Sequence, residues 1–584
     1  MDPISDDEFT STLKDLPNGK ASGISTISYE MLKNLNTKSK SILKEFLSLC
    51  LKKSSIPDSW KTSMIFPIPK SKDWECDLTN TRPIILLEVT RKLITKIITN
   101  RLSSICKKHN ILTGPNYAGL PGESTQEPIH LLNNICEDAR EKNKELWICL
   151  QDTAKAFDTV NLTMLNKAME RIKIPTKAIE FIINLFKNRI LKVITDFGLT
   201  QEIIAGDGLD QGETISPLLW RIFYDPLINK IQNNPDLGYV MSTKWRKDLN
   251  LHHQEKMELK VAATAFMDDT VWISSSQKNM QKILDKAAIF YKANDSQINS
   301  KKSILIAINA PKEDQNKEIL IGPNKDPLKK LSKEAFARYL GIWIGEKNQK
   351  SFTYNLLQRE IYQITHSLKK KKTTDKQILY ILNRVLMPRL EYRSQCYFFN
   401  ERECTKLTAK YMGTFKNSIN ISSTCPNSVA LHKGIYSLKS MWELQNEALI
   451  SNFTNRINDI NNLGTSTIIR LKDFQIVNWE PTNILEKRIH DTPKIKNNFQ
   501  ANVLLLAQDH GISYHSSNLL DLFDWKGGTI SIKEVLNDQK HYNKAIKSLS
   551  RSNLMYIDQL IDPSNKTLLN WQVLISLINR NNKG

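Results

Sequence analysis

The stretch VAATAFMDDTVWIS, residues 261–274, places an adjacent carboxylate pair between two apolar runs. Apolar, β-branched and aromatic residues on each side predict a strand, a tight turn at the Asp268-Asp269 pair, and a second strand. Adjacent carboxylates in such a turn repel one another unless water or a cation neutralises them. Asp6-Asp7 shows the solvated alternative, because it sits in a polar helix start where dipole and solvent account for it. The apolar flanks of Asp268-Asp269 set it apart, and leave a metal site or a solvated turn as the two readings. A third carboxylate, Asp152, ends the apolar run LWICLQD at residues 146–152. Mg²⁺ takes hard oxygen ligands. Three carboxylates converging from neighbouring strands could hold two such ions roughly 3.5–4 Å apart, the geometry of in-line phosphoryl displacement.

Working outward, the strand ending at Asp152 is followed by two helical segments separated near Pro175. Ser216-Pro217 reads as an N-cap with proline at the first helical position, opening a helix to about Ile231. After the hairpin comes a helix marked by Met280, Ile283, Leu284, Ala287 and Tyr291, then a strand SILIAI at residues 303–308. Strand, helices, hairpin, helix and strand in that order predict a split βαβ sheet with helices on one face. Ser5 with Glu8, and Ser124 with Glu127, read as capping boxes. IPDSWKTSMIFPIPK at residues 56–70 reads as a loop feeding a short strand with prolines at its end. Beyond about residue 350 the pattern is mostly helical, with a KKKK run at residues 369–372 that reads as a solvated face, a nucleic-acid backbone contact or a nuclear-targeting signal. Residues 451–584 carry no interpretable motif.

The chain has 584 residues, 82 Lys plus Arg against 61 Asp plus Glu, and a net charge of +21. Such a surplus repels itself unless an anionic partner neutralises it, and nucleic acid is the usual one; a merely basic protein is the bland alternative. Eight cysteines in this length do not make a disulfide scaffold, and none are spaced as a zinc knuckle. The start MDPISDDEFT lacks the basic and apolar regions of a secretory signal. No window approaches 18 uncharged apolar residues, so no membrane association is expected. An intracellular, reduced, soluble chain is the expectation.

Three ordered blocks decide the function class. QDTAKAFDTV (151–160), GLDQGETISPLLW (208–220) and AFMDDTVWIS (265–274) resemble polymerase motifs A, B and C of reverse transcriptases. NGKASG (18–23), TRPIILLEVTRKLITKIITNRL (81–102), AGLPGESTQEP (118–128), INSKKS (298–303) and RYLGIWIG (338–345) resemble the flanking blocks of non-LTR retrotransposon enzymes. The resemblance implies an α+β right-hand polymerase: fingers over residues 1–125, a palm with the split βαβ sheet over 126–345, and a helical thumb over 346–450. A mostly helical C-terminal region of unknown role would fill residues 451–584. It implies RNA-directed DNA polymerase activity, extending a primer 3′-hydroxyl on an RNA template with dNTPs, the primer being DNA or part of an RNA–DNA hybrid. Asp152, Asp268 and Asp269 would be the catalytic, metal-binding triad for two Mg²⁺ ions, with Mn²⁺ as a substitute. Phe157 would exclude a ribose 2′-hydroxyl, Gln211 and Gly212 would lie beside the nucleotide, and Arg82 and Lys70 would hold its triphosphate. Lys302, with Lys301 as an equal rival, would protonate the leaving pyrophosphate. Nuclear residence follows from the family's need to reach chromosomal DNA.

The departures from the family define the alternatives. The first block lacks the usual proline and aspartate, Leu120 stands where many relatives carry arginine, and motif C reads Phe-Met-Asp-Asp. The chain starts almost at the polymerase block, and no cysteine–histidine knuckle or RNase H pattern is visible. A truncated copy of a longer element protein is therefore expected. The alternative reading is a catalytically inactive nucleic-acid-binding remnant. RNA-templated RNA synthesis or a metal nuclease is disfavoured by Phe157 and RYLGIWIG.

Overall fold

A computed structural model describes residues 2–70, 74–246, 255–314, 317–486, 498–515, 521–536, 549, 552–562, 564–570, 572–574 and 576. Helix α1 (Asp6–Asp15) starts at Ser5, whose hydroxyl accepts the Glu8 N–H, and three acidic residues fill its first turn. The expected box does not close, because the Glu8 carboxylate is bound by Arg101 of a later helix. After α2 (Thr37–Lys52), strands β1 (Thr62–Pro69) and β2 (Thr81–Leu86) pair antiparallel, so the strand read as short runs eight residues. Helix α3 (Val89–Lys108) follows, then α4 (Gln126–Glu141) and strand β3 (Leu146–Gln151). At the start of α4, Ser124 donates from its N–H and its hydroxyl to the Glu127 carboxylate, while Thr125 is the capping residue.

Helices α5 (Leu162–Arg171) and α6 (Thr176–Phe186) flank Pro175 as expected. Strand β4 (Arg189–Thr195) then returns to pair in parallel with β1, and β5 (Ile203–Ala205) extends that sheet. The sheet built on residues 62–86 thus recruits residues from far beyond position 125. Helix α7 (Ser216–Gln232) contains Ser216 instead of being capped by it, one residue earlier than the cap reading. The reason is local: the Ser216 hydroxyl donates to the Asp210 carbonyl, closing the preceding loop, at 2.9 Å.

Two hairpins follow, β6 (Tyr239–Trp245) with β7 (Glu255–Val261), and β8 (Ala263–Phe266) with β9 (Asp269–Ser274). Helix α8 (Gln277–Ala293) and strand β10 (Ile304–Ile308) complete a sheet of order β8-β9-β3-β10, extended by Lys329–Lys330. Neighbouring strands pair antiparallel, so β9 and β10, joined through α8 and separated by β3, run parallel to each other, which is the split βαβ arrangement.

The expectation of helices on one face is corrected. All six residues of β3 are buried, because odd and even positions alike are apolar. Trp147, Cys149, Trp272 and Leu305 join a core that includes α7 and α8 residues; Ile148, Leu150, Val271 and Ile306 join another that includes α4. Strands β11 (Ala337–Tyr339) and β12 (Ile342–Ile344) form a last hairpin.

The remainder is helical as expected: α9 (Lys350–Lys369), α10 (Met387–Ser394), α11 (Glu401–Ser418), α12 (Met441–Ile457), α13 (Asn462–Val477) and α14 (Phe499–Asp509) are the longer segments. The lysine run at the end of α9 is exposed. Helix α13 packs on α4 and on the β6–β7 hairpin through polar groups. Asn134 Nδ2 donates to Ser466 Oγ at 2.9 Å, and Lys142 pairs with both Asp138 and Asp473. The buried Lys472 ammonium lies 4.2 Å from the centre of the Trp525 ring and 5.0 Å from that of Trp245. All eight cysteines are free thiols, and no helix among the described residues is long and apolar enough to cross a membrane.

Candidate functional site

The turn of the β8–β9 hairpin brings Met267 into the left-handed region, at φ +56°. Side chains other than glycine adopt this conformation rarely and at a cost, so something must hold it. Asn116 does so with both ends of its amide: Nδ2 donates to the Met267 carbonyl at 3.1 Å, and Oδ1 accepts the Met267 N–H at 3.2 Å. Asn116 is itself buried and fixed, since Tyr117 N–H donates to the Ala265 carbonyl and Ala265 N–H to that of Pro115, both at 2.9 Å. Behind the turn, Thr270, Tyr224 and Tyr291 hydroxyls form a chain at 3.0 and 2.6 Å, and Trp272 donates to Gln151 at 2.9 Å. Burial pushes the Tyr224 phenol up to about 12, so this network stays neutral.

Asp152 follows β3 and is fixed through its backbone. Its N–H donates to Ser303 Oγ at 3.1 Å, and its carbonyl accepts the Asn299 N–H at 2.9 Å. The three carboxylates feel one another. Burial, followed by the Asp152 charge, raises Asp268. Asp269 keeps an open side, yet surrounding atoms and the charges of Asp268 and Asp152 push it up to about 6, against the pull of Arg338. Among the described residues, no three His, Cys, Asp or Glu side chains are gathered as a preformed metal cage. The donor set is nevertheless all carboxylate oxygen, and its mutual repulsion is what a divalent cation would relieve; the residues fit Mg²⁺.

Two cavities adjoin this turn. The first, about 870 Å³, brings together Lys70, Arg82, Phe157, Gln211, Gly212 and Asp268. The second, about 570 Å³, is lined by Asp152, Asp269, Lys302 and Arg338, with Leu340, Gly341 and Tyr392 beyond them. Of the site residues singled out from sequence, all but Lys301 line one cavity or the other, and Asp268 and Asp269 are divided between them. Lys302 stands apart from Lys70 and Arg82, while its rival Lys301 is not among the lining residues of either cavity.

In the first cavity, Phe157 lies half-buried with its ring centre 5.8 Å from that of Trp220, and its carbonyl accepts the Leu209 N–H at 2.8 Å. Gln211 accepts the Ile85 N–H at its carbonyl, at 2.8 Å, and its side-chain amide donates to Asp158 at 3.4 Å. Gly212, at φ +121°, has no room for a side chain: a Cβ would lie 2.8 Å from the Ile85 carbonyl oxygen. In the second cavity, Tyr392 of α10 donates to the Leu340 carbonyl at 2.6 Å, and its hydroxyl lies 3.1 Å from Thr125 Oγ1, tying helix to hairpin.

Sequence reading missed Asn116, Arg338 and Tyr392, and the buried set of Arg91, Asp210, Glu213 and Arg189. Only the last left a signal: two carboxylates bracketing Gln211-Gly212, and an arginine within the apolar helix of TRKLITKI.

Residues 68–344 match the family model of reverse transcriptase (RNA-dependent DNA polymerase). The Pol polyprotein of the type-1 retrotransposable element R2 from Popillia japonica is 26% identical over 268 residues, covering 46% of this chain and 35% of that protein. An uncharacterized 149 kDa protein of transposon TX1 from Xenopus laevis is 21% identical over 301 residues, covering 52% of this chain and 22% of that one. The chain thus spans about a third or less of the length of these relatives. Among solved structures, telomerase from Candida tropicalis aligns over 76% of this chain and 72% of that chain at 11% identity, with a TM-score of 0.33, too low to carry an argument. Residues 68–344 carry a reverse transcriptase domain, and the chain resembles the Pol proteins of non-LTR retrotransposons.

Proposed function

We propose that this chain is an RNA-directed DNA polymerase of the non-LTR retrotransposon type, extending a primer 3′-hydroxyl on an RNA template with dNTPs. The observation that carries the reading is the division of labour around one turn. Asp268 faces a cavity with a basic rim, Phe157 and Gln211-Gly212, while Asp152 and Asp269 face a second cavity suited to the primer end. In this reading the sheet of β1, β2, β4 and β5 belongs to the fingers, the β3–β8–β9–β10 sheet is the palm, and α9 to α11 form the thumb.

Arg82 and Lys70 hold the triphosphate, the guanidinium by its fork and the ammonium as a point charge. Gln211 and Gly212 support the nucleotide, with Gly212 letting the backbone approach closely. The Phe157 ring occupies the space that a 2′-hydroxyl would need. Two Mg²⁺ ions on Asp152, Asp268 and Asp269, replaceable by Mn²⁺, would lower the pKa of the primer hydroxyl and neutralise charge on the transferring phosphate. Lys302 is the proposed proton donor to pyrophosphate, and must reach across from the second cavity to serve. Work on chromosomal DNA would place the protein in the nucleus.

The test is extension of a primer annealed to an RNA template with dNTPs and Mg²⁺ or Mn²⁺. The control is the Asp268→Asn, Asp269→Asn double variant at equal hybrid occupancy. Extension by the natural chain that falls by at least about 10³-fold in the variant is the expected outcome. Tight hybrid binding without extension by the natural chain would instead identify a nucleic-acid-binding remnant.

A further inference from the structure

The loop that carries Gln211 and Gly212 is bracketed by two carboxylates that never reach solvent. Asp210 and Glu213 side chains are fully buried, and so is Arg91 of α3, which joins them. Arg91 Nε donates to Glu213 at 2.8 Å, Nη2 to Asp210 at 3.0 Å, and Nη1 to the Trp60 carbonyl at 3.1 Å. Glu213 takes a further bond from Thr95, one turn along the same helix, at 2.6 Å. The other Asp210 oxygen is bound by Arg189, at the start of β4. Arg189 also donates to the Phe186 carbonyl at 3.0 Å and the Asp207 carbonyl at 2.7 Å.

Two arginines and two carboxylates make a set that is neutral overall and drawn from three separate parts of the chain. In a buried ion set, desolvation offsets most of the Coulomb attraction, so the set adds little stability for its size. What it supplies is geometry, because each guanidinium fork fixes direction as well as distance. The loop is held at residues 207, 210 and 213, and at Gln211 by its backbone carbonyl, while Gln211 lines the first cavity and its side-chain amide donates to Asp158 at 3.4 Å.

We infer that Arg91, Asp210, Glu213 and Arg189 are positioning residues that fix Gln211 and Gly212 against β2, and so set the affinity of the enzyme for its incoming nucleotide. This rests on the polymerase reading above. The set holds the nucleotide seat to α3 and β4, beside the Ile85 N–H bond that joins it to β2 and the Ser216 hydroxyl bond that joins it to the start of α7.

Arg91→Lys keeps the charge balance and removes the fork. In single-nucleotide extension it is expected to raise the KM for dNTP about tenfold, the loss of one charge-assisted hydrogen bond's worth of alignment. The kcat should stay within about threefold, and the Kd for primer–template hybrid should not move. Thr95→Val, nearly isosteric and removing a single bond to Glu213, should fold and raise KM by about threefold. Thermal stabilisation of the hybrid-bound protein by added dNTP, read without turnover, should weaken in parallel. A lowered melting temperature or active fraction with KM and dNTP stabilisation unchanged in both variants would overturn the inference. If the natural chain does not extend primers, the polymerase reading fails and the dNTP stabilisation series alone decides the role of the set: weakening supports it, and no change or no stabilisation overturns it.

Discussion

Asn116 shows how little of the candidate turn's geometry lies in the residues proposed to do chemistry. Its amide reads both backbone groups of Met267, whose left-handed conformation aims Asp268 and Asp269 to opposite sides. Asn116→Ala removes both bonds and leaves the strained turn free to relax. We expect kcat to fall about 10- to 100-fold, with hybrid affinity retained, in steady-state extension assays. Phe157→Val opens the space under the sugar, and incorporation of NTP relative to dNTP should rise at least about tenfold in competition assays. The proposed triad, Phe157 and Gln211-Gly212 could be singled out in sequence, and found lining two adjoining cavities, because the proposed chemistry dictates their residue types and their local frame. Asn116 was not, since an asparagine in NYAGLP says nothing of a turn 151 residues away.

At the level of elements, continuous apolar runs made β3, the β8–β9 hairpin and β10 readable. The β6–β7 hairpin escaped, because Lys, Glu and Ser interrupt it and its burial comes from α13, far along the chain. The parallel return of β4 to β1 escaped for the same reason: the register Thr62 with Ile190 is a long-range fact. The α4–α13 interface gives an element-scale prediction. Glu137 accepts the Phe499 N–H at 3.1 Å and lies near Arg470, yet burial pushes its carboxyl up to about 7 from an ordinary 4.5. Four carboxylates, Glu137, Glu141, Asp138 and Asp473, face Arg470, Arg140, Lys142 and Lys144 around it, so burial and not an excess of negative charge is what raises the Glu137 carboxyl. Between pH 4.5 and about 7 the folded chain holds a proton that the unfolded chain has lost, so stability falls as pH rises across that window. Glu137→Gln mimics the protonated form. It should match the natural protein at pH 4.5 and exceed it at pH 8 by on the order of 2 kcal/mol, read from urea melts.

The whole molecule carries a net charge of +21, and a partner that neutralises it must release counterions. Hybrid affinity is therefore expected to drop by about 10³-fold or more between 50 and 200 mM salt, measured by anisotropy. The described residues after 450 were opaque in sequence because their contacts are with surfaces laid down much earlier. Gln500 donates to Asn134 at 2.9 Å across 366 residues, and Asn553 donates to the Lys244 carbonyl at 2.9 Å across 309. This sets a timetable for synthesis. Every proposed catalytic group has been synthesised by residue 302, but the buried amides and carboxylates of α4 wait for partners still being made. At roughly 5–20 residues per second the wait from Asn134 to Gln500 lasts on the order of 20–70 seconds. During that interval the nascent chain has its chemistry in hand and no finished back to its central sheet, so chaperone occupancy should peak there and end when α13 and α14 emerge.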